Sequence, residues 1–371
     1  MGNIKTKVLC ITSSYPVHPR LKKIGESFPC LINGQNDFEV RYLAWDRLNK
    51  YKDEVQNCFV YKSNEGYGNK IKKIFGLLKF LLFIKKKISV FKPDVLICRY
   101  VDMALLGWLS KKNAKLIYDV NDLPTYESPF LDLLIRQLEK QIVKHCDLLI
   151  LSSRFFQAKY DNLNKKMIVL ENKPRKKIVK KGVFNFSKKR PIISFIGVVR
   201  FYEVMRNLIV ALKDKNVDLI FFGSGHDEGR LKNFIKEHNI KNVHFTGAYN
   251  FKNIHQSYNI SDYIWAAYPS DNIGVKMAVS NKFFECLAFK KPGIFSSDAL
   301  LAQLIEKNNI GYCVNPYNIK NISDLIDHLL SENNQRNEII NNIEQYQVNH
   351  TIFWEDMITT LKKNHVSWFV R

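Results

Sequence analysis

The stretch Asn281–Ser297, NKFFECLAFKKPGIFSS, decides the fold of this chain. It predicts a short helix with one carboxylate, Glu285, at its start, followed by an apolar strand that ends in serines. Pro292 and Gly293 separate the two elements, because these residues end helices and turn the chain. A carboxylate beside a helix N-terminus is well placed to accept hydrogen bonds from paired hydroxyls, such as those of a ribose. The stretch therefore predicts one helix–strand unit of a parallel sheet that also carries a diol-binding acid.

Apolar runs of strand length alternate with helical segments on both sides of this stretch. The predicted strands are 8–12, 38–43, 94–98, 115–119, 147–151 and 166–170 in the first half, and 192–197, 218–222, 243–247, 263–268, 293–296 and 311–314 in the second. Strands that are separated by helices indicate a parallel sheet with helices on both faces. The fold class expected is therefore α/β, with doubly wound sheets.

The segment between residues 172 and 190 breaks the alternation, because it is basic and contains no acid. A chain of 371 residues is also too long for one small core. We therefore predict an N-terminal domain over 1–172, a basic linker over 173–190 and a second domain over 191–348. The C-terminal segment, 349–371, is expected to form a helix that packs back on the N-terminal domain.

The composition limits the partners and the compartment. A net charge of +22 calls for a polyanionic partner: nucleic acid, anionic lipid headgroups or a phosphorylated substrate. The sequence contains neither an RNA-binding aromatic string nor a zinc spacing, so no specific nucleic acid is expected. Seven scattered cysteines without a CxxC pair favour a reducing cytoplasm. The N-terminus lacks the features of a signal peptide, and no apolar run is long enough to predict a transmembrane helix.

Six short motifs of the second half resemble the donor-binding domain of the GT-B-fold glycosyltransferases, the group 1 or family 4-like enzymes typified by bacterial cell-envelope and capsule biosynthesis. In chain order they end at or contain Gly197, Gly225, Gly247, Asp262, Glu285 and Gly293. The first half is similar to the family in 15–20, 94–99, 117–122 and 171–174. The resemblance implies a GT-B architecture, in which two Rossmann-like domains face each other across a cleft.

The resemblance implies that the second domain binds a nucleoside diphosphate sugar. Glu285 would hold the ribose, although a helix-capping acid is the alternative reading. Many family members carry a second glutamate eight positions earlier, where this chain has Met277. Either the chain belongs to a branch without that acid, or Asp271, Asn272 or the loop backbone contacts the donor sugar.

Positive side chains are expected to neutralise the diphosphate, because negative charge grows on it as the glycosidic bond breaks. The chain has no DxD motif, so we expect neither a metal nor another cofactor to do this. The remaining donor-site candidates are glycines that allow close backbone approach or tight turns, and Asn281 of the opening motif. The full donor-side set, besides Glu285, is Arg200, Arg206, Lys282, Asn281, Gly197, Gly223, Gly225 and Gly247.

The acceptor side is expected in the first domain. Asp122 follows a strand end and is either the general base for the acceptor hydroxyl or a loop cap. Arg20 and Arg99 would bind an acceptor phosphate.

A basic helix over 70–87 contains no acid, and Lys72, Lys79 and Lys86 recur every seven residues. Lysines beside leucine and phenylalanine suit an anionic membrane interface. The alternative is an ordinary sheet-covering helix with a solvated lysine edge.

The leading hypothesis is sugar transfer from a nucleotide sugar to a hydroxyl of an envelope or capsular glycan, which would be lipid-linked. The enzyme would then be cytoplasmic, at the inner face of the plasma membrane. The alternatives left open are a nucleotide-sugar epimerase of the same fold, a non-catalytic partner subunit, and a nucleic-acid-binding protein.

Overall fold

The structure is a computed structural model that describes residues 5–27, 38–51, 56–66, 70–124, 128–163, 165–180, 189–331 and 333–363. The chain divides into two compact units. Unit 1 extends to Glu171 and includes the residues from Ile358 onward, and unit 2 is Asn172–Met357. Each unit has its own parallel sheet with helices, so the prediction of two doubly wound α/β domains is confirmed.

The described residues of unit 1 form a seven-stranded sheet of order β3-β2-β1-β4-β5-β6-β7, in which every neighbouring pair is parallel. The strands are β1 (Thr6–Thr12), β2 (Phe38–Asp46), β3 (Cys58–Lys62), β4 (Val95–Arg99), β5 (Lys115–Val120), β6 (Leu148–Leu151) and β7 (Met167–Val169). The helices are α1 (Pro19–Ser27), α2 (Lys70–Phe91), α3 (Val101–Trp108), α4 (Pro129–Lys144) and α5 (Gln157–Tyr160).

The strand β3 is a difference from the sequence prediction, which placed no strand between β2 and β4. Its five residues pair with β2 at one edge of the sheet and are half-buried for most of their length. Its sequence carries an apolar run over Cys58–Tyr61, so the strand pattern was present and the prediction overlooked it. The central strand β1 has a run of the same length, Val8–Ile11, but there the run is fully buried.

The described residues of unit 2 form a six-stranded parallel sheet of order β10-β9-β8-β11-β12-β13. The strands are β8 (Ile192–Ile196), β9 (Asp218–Phe222), β10 (Val243–Gly247), β11 (Tyr263–Ala266), β12 (Gly293–Ser296) and β13 (Gly311–Val314). The helices are α6 (Tyr202–Leu212), α7 (Glu228–Glu237), α8 (Ile254–Ile260), α9 (Ile273–Met277), α10 (Asn281–Phe289), α11 (Leu300–Asn308), α12 (Ile319–Ser331) and α13 (Asn333–Asn349). The boundary between the units falls within the last described helix, α14 (Trp354–Lys363).

In both sheets the order in which the chain adds strands reverses at a central strand. The chain moves outward in one direction from β1 and β8, then returns to place β4 and β11 on their other side. Loops that follow the two central strands therefore diverge and open a crevice at the carboxyl edge of the sheet, which is where ligands bind in such folds. In unit 2 these are the loops that begin at Gly197 and Ala267.

The opening stretch folds as predicted, with one correction to the position of its acid. Helix α10 begins at Asn281, and the Ser280 side chain caps it by accepting a hydrogen bond from the backbone of Lys282 at 3.2 Å. Glu285 is therefore one turn inside the helix, so it is not a capping acid. The helix ends at Lys290, which adopts a left-handed conformation (φ 53°), and Gly293 begins β12.

Two glycines let the loops after β8 and β9 lie against each other. A Cβ atom on Gly223 would be 1.8 Å from the Gly197 carbonyl oxygen, and one on Gly225 would be 2.1 Å from that of Val199. The loops are joined by backbone hydrogen bonds from Gly197 to Phe222 and from Val199 to Ser224. These glycines therefore hold the carboxyl edge of the sheet together, whether or not a ligand also approaches them.

We expect Gly225→Ala to lower the free energy of unfolding by about 2 kcal/mol or more, because the new methyl group overlaps a backbone carbonyl that cannot rotate away. Gly229→Ala is the matched control, since its Cβ would have no heavy atom within 4 Å and alanine suits the helix α7. Urea unfolding of the two variants provides the measurement. Equal stabilities would show that the loops do not need this close approach.

Candidate functional site

The carboxylate of Glu285 is nearly buried and is held by two donors. Its exposed fraction is 6%. The Tyr258 hydroxyl donates to Oε2 at 2.5 Å, and the Lys282 ammonium donates to the same oxygen at 2.7 Å. Lys282 lies one turn earlier on α10, whereas Tyr258 comes from α8. The sequence therefore supplies the ion pair locally, and the tertiary fold supplies the hydroxyl.

The charges and burial around Glu285 keep both hydrogen-bond donors, Lys282 and Tyr258, protonated. Burial alone would lower the pKa of Lys282, but the charge of Glu285 and the adjacent Tyr268 and Tyr249 raise it above its ordinary value. Burial raises the pKa of Tyr258 well above its usual range, and the Glu285 charge raises it further. Near neutral pH, Lys282 is therefore a cation and Tyr258 a neutral hydroxyl.

Glu285 has one carboxylate oxygen to spare. Among the described residues no hydrogen bond reaches Oε1. Glu139 on α4 is a useful comparison because it is also buried between tyrosines and a lysine. Its Oε1 accepts from Tyr118 at 3.1 Å and Tyr160 at 2.8 Å, and its Oε2 accepts from Lys159 at 2.5 Å. Glu139 is fully used inside the protein, whereas Glu285 retains an acceptor for a ligand hydroxyl.

Arg200 and Tyr268 extend this group at the carboxyl edge of the sheet. Arg200 is exposed in the loop after β8, with its guanidinium 4.6 Å from the centre of the Phe201 ring. Burial raises the pKa of Tyr268, which follows β11, while the positive charges of Lys282 and Arg200 act against this rise. Arg200, Tyr268, Lys282 and Glu285 therefore lie in one electrostatic neighbourhood, beside the point where the strand order reverses. We call these four residues, together with Tyr258, the Glu285 group.

The remaining donor-side candidates lie elsewhere or do other work. The guanidinium of Arg206 lies 5.5 Å from the ring centre of Phe234 on α7, so it contributes to helix packing. Asn281 is exposed and accepts a hydrogen bond from Asn172 at 2.9 Å. Gly247 has a positive φ of 76° with open space around its Cβ position, as expected of a turn glycine. Met277 ends the short helix α9 and is half-buried.

The sequence did not identify Tyr258 or Tyr268 as members of the site. Tyr258 lies 27 residues before Glu285 in a seven-residue helix. No local pattern links these two positions; the packing of α8 against α10 brings them together.

Unit 1 has a cavity of about 330 Å³ at the carboxyl edge of its sheet. It is lined by residues that include Ser13, Ser14, Tyr100, Asp102 and Asp122. These residues follow β1, β4 and β5, so the cavity lies beside the reversal of strand order. Asp122 is exposed there and accepts a hydrogen bond from the side chain of Asn121 at 2.5 Å. The acid predicted as a general base is thus exposed to a cavity.

Arg20 has a structural role in unit 1, which corrects the prediction that it faces an acceptor. Its side chain has no exposed surface. Its guanidinium forms an ion pair with Asp119 at 2.9 Å and donates to the Leu170 carbonyl at 2.6 Å. Arg20 therefore joins the ends of β5 and β7 to α1, and a phosphate would have to break this buried pair to reach it.

Arg99 is also buried, with an exposed fraction of 2%, and stacks over the Tyr100 ring at 4.4 Å. Burial lowers the pKa of Arg99, while Tyr100, Asp119 and Asp122 raise it in part. Tyr100 itself has a positive φ of 72°, a conformation that non-glycine residues rarely adopt. The strained residue Tyr100 thus lines the cavity. The buried Arg99 lies behind it, so its positive charge acts on the cavity without its side chain lining it.

Comparison with known proteins identifies the class. Residues 176–346 match the family model for glycosyl transferases group 1. Sucrose-phosphate synthase from Thermosynechococcus elongatus superposes with a TM-score of 0.79 at 14% identity, covering 97% of this chain and 98% of that one. Anabaena HepE, solved in complex with UDP and glucose, gives 0.71 at 13% identity, with coverages of 97% and 99%. No curated protein gives a significant sequence match.

These matches cover nearly the whole length of each protein and show the GT-B fold, as the sequence predicted. The family match within unit 2 and the fold of the whole chain are those of a glycosyltransferase. The C-terminal unit carries the glycosyl transferases group 1 domain.

We expect Arg20→Ala to lower the free energy of unfolding by about 3–5 kcal/mol, because it leaves the buried Asp119 carboxylate without its partner. Arg136→Ala is the control: Arg136 is exposed and pairs with Asp132 on the surface of α4, where ion pairs contribute about 1 kcal/mol or less. Urea unfolding followed by tryptophan fluorescence distinguishes the two. A small loss for Arg20→Ala would return Arg20 to the list of ligand-binding candidates.

We expect the stability of unit 1 to fall as the pH is lowered through the window from 6.5 to about 4. Burial and the positive charges of Arg99, Arg20 and Lys23 lower the pKa of His18 from 6.5 to about 4. Within that window the unfolded chain therefore binds a proton that the folded chain does not. The stabilisation is fully present above pH 6.5, and about 1–2 kcal/mol of it is lost by pH 5.

Urea midpoints at pH 7.5 and 5 measure this effect in the wild type and in His18→Gln, which should be less sensitive to pH. His226→Gln is the control, because its side chain is 72% exposed. An unchanged pH dependence in His18→Gln would contradict the assignment to His18.

Proposed function

We propose that the protein transfers a sugar from a nucleoside diphosphate sugar to a hydroxyl of an envelope or capsular glycan. The observation that carries the proposal is the unused Oε1 of Glu285 at the carboxyl edge of the unit 2 sheet. The other oxygen pairs with Lys282, and the neighbouring Tyr268 is subject to the charges of both Lys282 and Arg200. A carboxylate oxygen accepts a ribose hydroxyl, and a nearby cation favours a diphosphate.

In this proposal the members of the Glu285 group divide the work. Tyr258 and Lys282 fix the carboxylate by bonding to its other oxygen, so Oε1 is oriented before the donor arrives. Arg200, which is exposed, is the cation free to approach the diphosphate and to stabilise its growing negative charge. Lys282 bonds to Oε2 of Glu285, so it acts on the diphosphate through its positive charge and not by direct contact. We propose that neither a metal ion nor another cofactor is required.

We propose that the unit 1 cavity receives the acceptor. The acceptor hydroxyl attacks the anomeric carbon, the bond from that carbon to the diphosphate breaks, and Asp122 takes the hydroxyl proton. The exposure of Asp122 beside this cavity supports the role.

We further propose a cytoplasmic enzyme at the inner face of the plasma membrane, with a lipid-linked acceptor. Free thiols at all six described cysteines support a reducing compartment. A non-catalytic partner subunit and an epimerase of the same fold remain less favoured readings.

Glu285→Gln should weaken the binding of the preferred nucleoside diphosphate about 10- to 100-fold, because a charged acceptor for the ribose becomes a neutral one. Isothermal titration with a panel of nucleoside diphosphates measures this loss. Glu139→Gln is the matched control, since Glu139 is also a buried glutamate bonded by tyrosine and lysine side chains, but both of its oxygens are engaged. Its nucleotide affinity should stay within about twofold of wild type.

Two results would overturn the proposal. Equal nucleotide affinity in Glu285→Gln and wild type, with both folded by circular dichroism, would remove Glu285 from the donor site. Conversion of a nucleotide sugar to its epimer without an acceptor would establish the epimerase instead.

A further inference from the structure

Helix α2 has two apolar faces, and only one of them is covered. The inner face packs on the sheet through Phe80, Ile84 and Ile88, which are almost fully buried. Phe80 stacks on Trp45 at 5.1 Å between ring centres, and a Cβ on Gly76 would be 2.7 Å from the Trp45 ring. The helix is therefore fixed firmly to unit 1 by this face.

The outer face is apolar as well. Ile74, Phe75, Leu78 and Leu82 are 59%, 62%, 55% and 68% exposed. At about 100° per residue these four side chains share one side of the helix. A sheet-covering helix normally turns polar residues outward, so a contiguous apolar stripe of this kind indicates an interaction surface.

Lysines border the stripe. Lys79 and Lys86 are exposed along one edge, and Lys85 is exposed one turn beyond Leu82 on the same side of the helix. The helix contains no acid, so nothing on it offsets this charge. An exposed apolar stripe with bordering lysines is the pattern of a helix that lies in the headgroup region of a bilayer.

We propose that the outer face of α2, defined by Ile74, Phe75, Leu78, Leu82, Lys79, Lys85 and Lys86, docks on a bilayer that contains anionic lipid. Charge decides between this occupant and a second copy of the chain. Two copies would bring lysines against lysines, each on a protein of net charge +22, whereas anionic headgroups neutralise them.

The docking is peripheral. No helix in the described ranges combines the length and apolar character needed to cross a bilayer. This surface would bring the enzyme to a membrane acceptor, and only that consequence rests on the proposed function. Lys72 belongs to the same predicted lysine row, but its side chain lies outside the described set.

Vesicle co-sedimentation of the full chain tests the proposal. Wild type should bind vesicles of phosphatidylcholine mixed with phosphatidylglycerol, bind pure phosphatidylcholine at least tenfold more weakly, and release as salt rises. The triple variant Phe75→Ser, Leu78→Ser, Leu82→Ser should lose at least tenfold in partitioning, because its inserted apolar area is removed. Lys79→Glu with Lys86→Glu should lose a similar factor.

Matched controls lie in unit 2. Val348→Ser removes an apolar side chain that is 80% exposed on α13, and Lys236→Glu with Lys307→Glu makes the same change in net charge. Both controls should bind vesicles like wild type. All altered side chains are exposed, and nucleoside diphosphate titration of each variant reports separately on the donor site.

Three results would overturn the docking proposal. The first is equal sedimentation of the α2 variants and wild type, and the second is equal wild-type binding to both vesicle types. The third is a wild-type dimer in analytical ultracentrifugation that the serine variant dissociates, which would make the stripe an interface between copies. Unchanged nucleotide affinity in these variants would leave the sugar-transfer proposal intact.

Discussion

The ion pair between Lys282 and Glu285 is the interaction on which the proposed donor site depends. A nearly buried carboxylate is costly unless it is paired and hydrogen-bonded, and removal of one partner leaves the other charge stranded. Here the partner lies one turn away on the same helix, so the pair forms wherever α10 forms. Tyr258 then bonds to the same oxygen, which concentrates the internal partners on Oε2 and leaves Oε1 for a ligand.

Glu139 shows that the residue types alone do not make a site. Glutamate, lysine and tyrosine meet in unit 1 as they do in unit 2, and both carboxylates are nearly buried. The difference is in the distribution of donors over the two oxygens and in position. Glu139 faces the packing of α4 and α5 with both oxygens engaged, whereas Glu285 belongs to a group at the carboxyl edge of its sheet. The proposed donor site is therefore distinguished by a buried carboxylate that has one oxygen without a hydrogen bond from the described residues.

The sequence predicted most of the strands because buried parallel strands are continuous apolar runs, and it predicted α10 and β12 because Pro292 and Gly293 mark the junction. It missed β3, although Cys58–Tyr61 is an apolar run, because a run of only four residues is a short signal for a strand. The contacts that a side chain makes were harder to predict than the helices and strands. Arg20 looked like a loop cation, but Asp119 lies 99 residues away in the chain and reaches it only through the sheet. Arg206 was separated from Arg200 in the same way, since packing of α6 against α7 turns it toward Phe234.

The same reasoning explains why α2 stayed ambiguous as a sequence. Its mean hydropathy is raised by two apolar faces, so periodicity alone cannot say which one the sheet covers. Trp45 settles this, because its ring occupies the space beside Gly76 and stacks on Phe80. Once that face is assigned to the sheet, the stripe from Ile74 to Leu82 has no partner within the described part of unit 1. Lysines along its border make an uncharged partner a poor match, whereas an anionic surface satisfies both the apolar and the charged part of the helix.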